Sequence, residues 1–169
     1  MKKLEMVYGD SDAAENEDGG KLLFAGTYKG ITYAVVNRCG WHPCGYVEVT
    51  GTKFDECEEF NKLGKAAREQ YCCACGREKY NSAQVALDDA VHAGLTYSGG
   101  WCFGVYMPNI SDKHTRWFVG WDYGHLNDKQ YYGYHSQFNH DGKKWTTDEV
   151  IAECKHCINA LLKESKKVC

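Results

Sequence analysis

The chain has 169 residues, 43% of them hydrophobic, which excludes a disordered polymer and suits one domain with a sizeable core. Twenty basic against 23 acidic side chains leave a formal net charge of −3, which argues against a general nucleic-acid binder. No apolar run approaches the ~18 residues needed to cross a bilayer, so no membrane partner is expected. Met1 to Asp10 is polar and lacks an apolar signal region, so the expected location is the cytoplasm. Ten cysteines in that setting point to reduced thiols, and zinc is their first explanation.

In chain order, residues 1–20 read as a flexible acidic N-terminus and residues 21–169 as a single α+β domain. Lys21 to Thr27 and Gly30 to Asn37 read as two strands around a tight Tyr28-Lys29-Gly30 turn. After RCGWHPCG, Cys44 to Thr50 alternates as a third strand, which makes an antiparallel meander. Residues 53–71 read as a helix, weakened by Gly64, and are followed by the cysteine knuckle CCACG. Val85 to His92 is open between a short strand and a helix. LTYSGG is expected to turn into a strand over 101–107, with a further strand over Thr115 to Trp121. Residues 129–145 read as an irregular aromatic loop.

The clearest element is a C-terminal helix. Thr146 and Glu149 have capping-box spacing, and Val150, Cys154, Cys157, Ile158, Leu161 and Leu162 follow the 3.6-residue period. The expected fold is therefore an antiparallel sheet of about five strands, a C-terminal helix and one further helix, with irregular loops stapled by zinc.

Cys72, Cys73 and Cys75 put three thiols in four residues, and Cys72 with Cys75 has the CxxC spacing of half a zinc site. Cys154 and Cys157 lie at i and i+3 of the C-terminal helix and could supply the other half. Both also lie on the apolar stripe, where ordinary core thiols belong. Cys39, His42 and Cys44 could hold a metal in a six-residue turn, but read better as a hairpin with inward cysteines.

A different set is His92, Asp122 and His125, with Asp128 to orient a water. WDYGHLND directly follows a strand, where loops often carry function, and a His₂Asp set with an open position is a hydrolytic zinc arrangement. The same residues could instead cap turns and bond backbone carbonyls. HExxH, a phosphate-cradling glycine motif and a serine-nucleophile elbow are missing from the sequence.

Three segments occur in fixed order: Gly40 to Val47 (GWHPCGYV), Val91 to Tyr97 (VHAGLTY) and Gly120 to Asp128 (GWDYGHLND), followed by Glu153-Cys154 on the C-terminal helix. From about Arg38 to Leu162 the chain resembles a family of small bacteriophage and prophage proteins with the pattern GHxCGYV … VHGGLTY … GFDxAHxGD. It departs at Ala93, where the pattern has glycine, and at Tyr123, where cysteine is common. The CCACG knuckle has no counterpart in the pattern. That family is mostly of unassigned function, so the resemblance implies a phage or prophage setting; with the small size and the cysteine content, that setting suggests a zinc-binding inhibitor of host defence, of the anti-CRISPR kind, in the bacterial cytoplasm. In that first reading the chain is a binding protein and not an enzyme. Trp121, Tyr131, Tyr132, Tyr134 and Trp145 would anchor a protein partner such as Cas9 and block nucleic-acid loading, without sequence-specific nucleic-acid contact. The alternative is a metal-dependent hydrolase of a small nucleotide or phosphoester using His92, Asp122 and His125.

Overall fold

A computed structural model describes residues 20–38, 42–52, 54, 87–100, 116–125, 127–128 and 142–165. The five strands are β1 (Gly20–Tyr28), β2 (Ile31–Arg38), β3 (His42–Glu48), β4 (Tyr97–Gly100) and β5 (Trp117–Asp122), and the helix is α1 (Thr147–Ser165). They form one antiparallel sheet of order β1-β2-β3-β5-β4, as expected of an α+β chain with a C-terminal helix. The helix expected over 53–71, the strand over 101–107, most of the aromatic loop and the CCACG knuckle lie outside the described residues.

Local chemistry accounts for the first hairpin. Tyr28 pairs with Ile31, leaving the two-residue turn Lys29-Gly30, and both residues have positive φ, 50° and 81°. That is the backbone hand that matches strand twist in two-residue hairpins, and glycine at the second position takes it without steric cost. Between Leu22 and Phe24 the register shifts, so Leu23 is an extra residue that bulges into the core.

Residues 97–100 correct the expectation of a turn: Tyr97 to Gly100 pair with Gly120 to Trp117 as an edge strand. Two glycines in four residues hide the strand signal, because their place is decided by neighbours rather than by their own propensity. Trp117 donates from Nε1 to Ser98 Oγ at 3.0 Å, and Tyr97 meets the Tyr46 ring edge-on at 5.6 Å.

One sheet face carries Leu23, Tyr33, Val35, Val47, Val49, Trp117, Val119 and Trp121. Val150, Ile151, Cys154, Cys157, Ile158 and Leu161 recur on α1 at helical spacing and close that core. Ala34, Val36, Cys44, Tyr46 and Phe118 point to the other face and are also buried. Gly45 lies opposite Trp121, and Gly120 lies opposite Tyr46. A Cβ on Gly45 would fall 2.6 Å from the Trp121 ring, and one on Gly120 would fall 2.4 Å from the Tyr46 ring. Each glycine thus makes room for the aromatic ring of its cross-strand partner.

Thr146 and Glu149 close the capping box. The Thr146 N–H donates to Glu149 Oε2 at 2.9 Å, and the Glu149 N–H donates to Thr146 Oγ1 at 3.3 Å. No helix among the described residues is long and apolar enough to cross a membrane.

Candidate metal centre

The antiparallel pairing of β3 with β5 brings the start of one strand beside the end of the other. Tyr123 N–H donates to the Pro43 carbonyl at 3.2 Å, so the ladder runs one residue past β5 before the chain turns. The turn closes on Asp128: its N–H donates to the His125 carbonyl at 2.9 Å, and its Oδ2 accepts from the His125 N–H at 3.0 Å. Lys143 N–H then donates to the Asn127 carbonyl at 2.8 Å, which lays the stretch before α1 alongside.

His92 arrives from the turns that precede β4. Asp88 Oδ1 accepts the Leu95 N–H at 2.6 Å and fixes that loop. Ala93 and Gly94 both have positive φ, 52° and 89°. The left-handed conformation is ordinary for glycine and costs alanine of the order of 1 kcal/mol. A glycine at 93, as in the resembling pattern, would take this backbone more easily.

These elements converge on one point. The donor atoms of His92, His125 and Asp128 all lie within 4.8 Å of one another, and the three side chains could hold a metal ion. His92 donates from Nε2 to Asp128 Oδ2 at 2.8 Å, and His125 Nδ1 lies 3.4 Å from the same oxygen. Trp145 donates from Nε1 to the other carboxylate oxygen, Oδ1, at 2.6 Å. The Asp128 side chain is only 2% exposed, whereas His92 and His125 are 25% and 34% exposed. Burial pushes the Asp128 carboxyl up, but hydrogen bonds from Trp145, His92 and the His125 N–H outweigh it and hold the group below its ordinary value.

A packed aromatic shell orients the histidine. The His92 ring lies parallel to Tyr123 at 5.1 Å and tilted against Trp145 at 4.8 Å. Tyr123 O–H donates to Glu153 Oε2 on α1, and Trp121 Nε1–H donates to the same oxygen at 3.0 Å. Burial raises the Glu153 carboxyl above its ordinary value, against partial relief from the Trp121 hydrogen bond. Lys143 Nζ lies over the Trp145 ring, 3.4 Å from its centre.

The residues singled out in the sequence fall in several places. His92 and His125 come together as expected. Asp128, cast as the residue that orients water, supplies the carboxylate of the set. Asp122 stands one step away, with Oδ1 4.0 Å from His125 Nδ1 and 4.0 Å from His42 Nε2. Cys154 and Cys157 are fully buried on α1 without a disulfide, and Cys154 Sγ faces the Ala34 carbonyl at 4.0 Å. Cys72 and Cys75, the other half of the expected thiolate site, lie outside the described residues. Trp121, expected among the partner anchors, is 1% exposed and packs in the core. Trp145 is half-buried and committed to Asp128, while Tyr131, Tyr132 and Tyr134 lie outside the described residues. The supporting roles of Trp145, Tyr123 and Glu153 escaped sequence reading, because nothing in their spacing announces a shared contact.

Comparison of the chain with protein-family models, with curated proteins and with solved structures finds no match. The resemblance drawn from the three motifs therefore gains no support there, and the site must be read from its own chemistry.

Proposed function

We propose that this chain is a zinc-binding protein in which His92, His125 and Asp128 hold the ion, and that it uses the ion to hydrolyse a small phosphoester. The observation that supports this most is the shape of the set. Two imidazoles and one carboxylate converge, the carboxylate is buried and fixed by Trp145, and the two imidazole rings are part-exposed although His125 Nδ1 itself is buried. Three protein ligands among the described residues leave a fourth tetrahedral position for water or substrate, the arrangement of hydrolytic rather than structural zinc, whose sites are closed by four. A zinc ion held by His92, His125 and Asp128 would supply Lewis acidity toward water and toward a phosphoryl oxygen. The protein's own part is orientation: Trp145 holds Asp128 from behind, and Tyr123 and Trp145 fix the plane of His92.

Inhibition of a host defence complex such as Cas9, the reading attached to the phage-protein resemblance, is the weaker proposal. Of its five aromatic anchors, Trp121 is buried and Trp145 is engaged at the metal set.

The test is elemental analysis and zinc titration of protein purified without a metal-affinity tag, followed by assay of bis(4-nitrophenyl) phosphate hydrolysis. Zinc should bind to the wild type. Asp128→Asn, which keeps the side-chain shape, should weaken binding by at least about 100-fold, beyond the usual effect of an outer-shell change. His125→Ala should abolish turnover with the far-UV circular dichroism unchanged. A wild type that neither carries nor takes up zinc sinks the proposal, and iron in its place would redirect it to oxidative chemistry.

A further inference from the structure

We infer that Asp122 is the general base of the proposed hydrolysis, the carboxylate that orients and deprotonates the attacking water beside the metal set. The inference rests on the reading of His92, His125 and Asp128 as that set. It exchanges the roles that the sequence suggests for the two aspartates: Asp128 holds the ion, and Asp122 handles the water.

A base needs an oxygen with a lone pair to spare. Both oxygens of Asp128 are taken. Oδ1 accepts from Trp145 at 2.6 Å, and Oδ2 accepts from His92 Nε2 at 2.8 Å and from the His125 N–H at 3.0 Å. Glu153 Oε2 accepts from Trp121 Nε1 and from the Tyr123 O–H. Glu149 is tied to Lys143 and to the Thr146 cap. Asp122 differs. Its Oδ1 accepts the Gly124 N–H at 3.0 Å, and among the described residues nothing bonds its Oδ2. The side chain is 30% exposed, against 2% for Asp128.

Solvated carboxylates are common on any surface, so position decides. Asp122 ends β5, and pairing with Cys44 on β3 fixes its backbone. Its Oδ1 lies 4.0 Å from His125 Nδ1, too far for a hydrogen bond, and 4.0 Å from His42 Nε2, also too far. Neither ring therefore competes for the carboxylate. A water completing a tetrahedron with bonds of about 2.0–2.1 Å would lie about 3.3 Å from each ligand nitrogen. The carboxylate and that water would both neighbour His125, close enough for a direct hydrogen bond or one relayed by a second water, the two geometries open to a general base.

In this role Asp122 takes one proton from the attacking water as its oxygen bonds to phosphorus. The bond from phosphorus to the leaving oxygen breaks, and its electron pair departs with that oxygen. The proton on Asp122 then passes to solvent. A 4-nitrophenolate leaves without needing a proton, so the test substrate isolates the base from any acid.

The experiment measures bound zinc by dialysis with elemental analysis, and kcat and KM for bis(4-nitrophenyl) phosphate, on wild type, Asp122→Asn, Asp122→Ala and Asp128→Asn. Circular dichroism is checked for each. Asp122→Asn retains an oxygen for the Gly124 N–H, which guards against a local folding defect. Both variants at 122 should bind zinc as wild type does and keep its KM, while kcat falls at least about 100-fold. Added formate, a small carboxylate base, should raise kcat of Asp122→Ala in proportion to its concentration and leave Asp122→Asn unchanged. A wild-type kcat in Asp122→Asn overturns the inference and leaves the metal set standing. Loss of zinc from Asp122→Asn overturns it too, by making Asp122 a ligand. A wild type without zinc or without turnover removes both this inference and the reading beneath it.

Discussion

Cys154 and Cys157 show what burial does to a thiol. Both sit on the face of α1 that meets the sheet, and burial pushes Cys157 up to about 12 and Cys154 well above its ordinary value. The neutral thiol is therefore the resident form at physiological pH, which suits a small core side chain and opposes nucleophilic chemistry. Peptide mapping after brief iodoacetamide treatment at pH 8 should find both positions unmodified in the folded protein and fully modified in denaturant. Fast native labelling at either would contradict the packing described, and protection that disappears on chelation would instead mark them as metal ligands.

Among the elements, α1 owes its beginning to two reciprocal hydrogen bonds. The Thr146 N–H holds the Glu149 carboxyl below its ordinary value, with Lys143 Nζ adding an ion pair at 3.1 Å. A folded value lower than the unfolded one stabilises the carboxylate form. The contribution is present above the usual carboxylate range and is lost as pH falls through the folded value. Amide exchange at residues 147–150 should accelerate as pH drops below about 4.5, after correction for the intrinsic rate, and Glu149→Gln should remove most of that dependence. The β1–β2 hairpin is likewise locally determined, by its two positive-φ residues. β4 is the contrary case: YSGG has little strand character of its own and is ordered by pairing with β5.

At the scale of the molecule, the sheet depends on close approach between strands. Gly45 beneath Trp121 and Gly120 beneath Tyr46 are neighbouring cross-strand pairs whose rings lie on opposite faces. Gly120→Ala should destabilise by about 1–3 kcal/mol through overpacking, read as a lower denaturant midpoint at unchanged slope. A variant as stable as wild type would mean the Tyr46 ring has room to move. The parts of this architecture visible in the sequence are those with local causes: the meander, the capped helix, and His125 just past a strand. The choice between carboxylates was not visible, because Asp122 and Asp128 stand three residues on either side of His125 and differ only in how the chain turns between them. Trp145 acts on a carboxylate 17 residues away, a distance no periodicity encodes. Asp128 joins residues 36 positions before it and 17 after it through one side chain. Its two oxygens can find their partners only when the loop before β4, the end of β5 and the approach to α1 have all met. Such non-local closure carries a loop-closure entropy that local contacts do not. The carboxylate is thus a timekeeper of assembly: a cation that needs it has no complete seat on the nascent chain and reads out the finished topology.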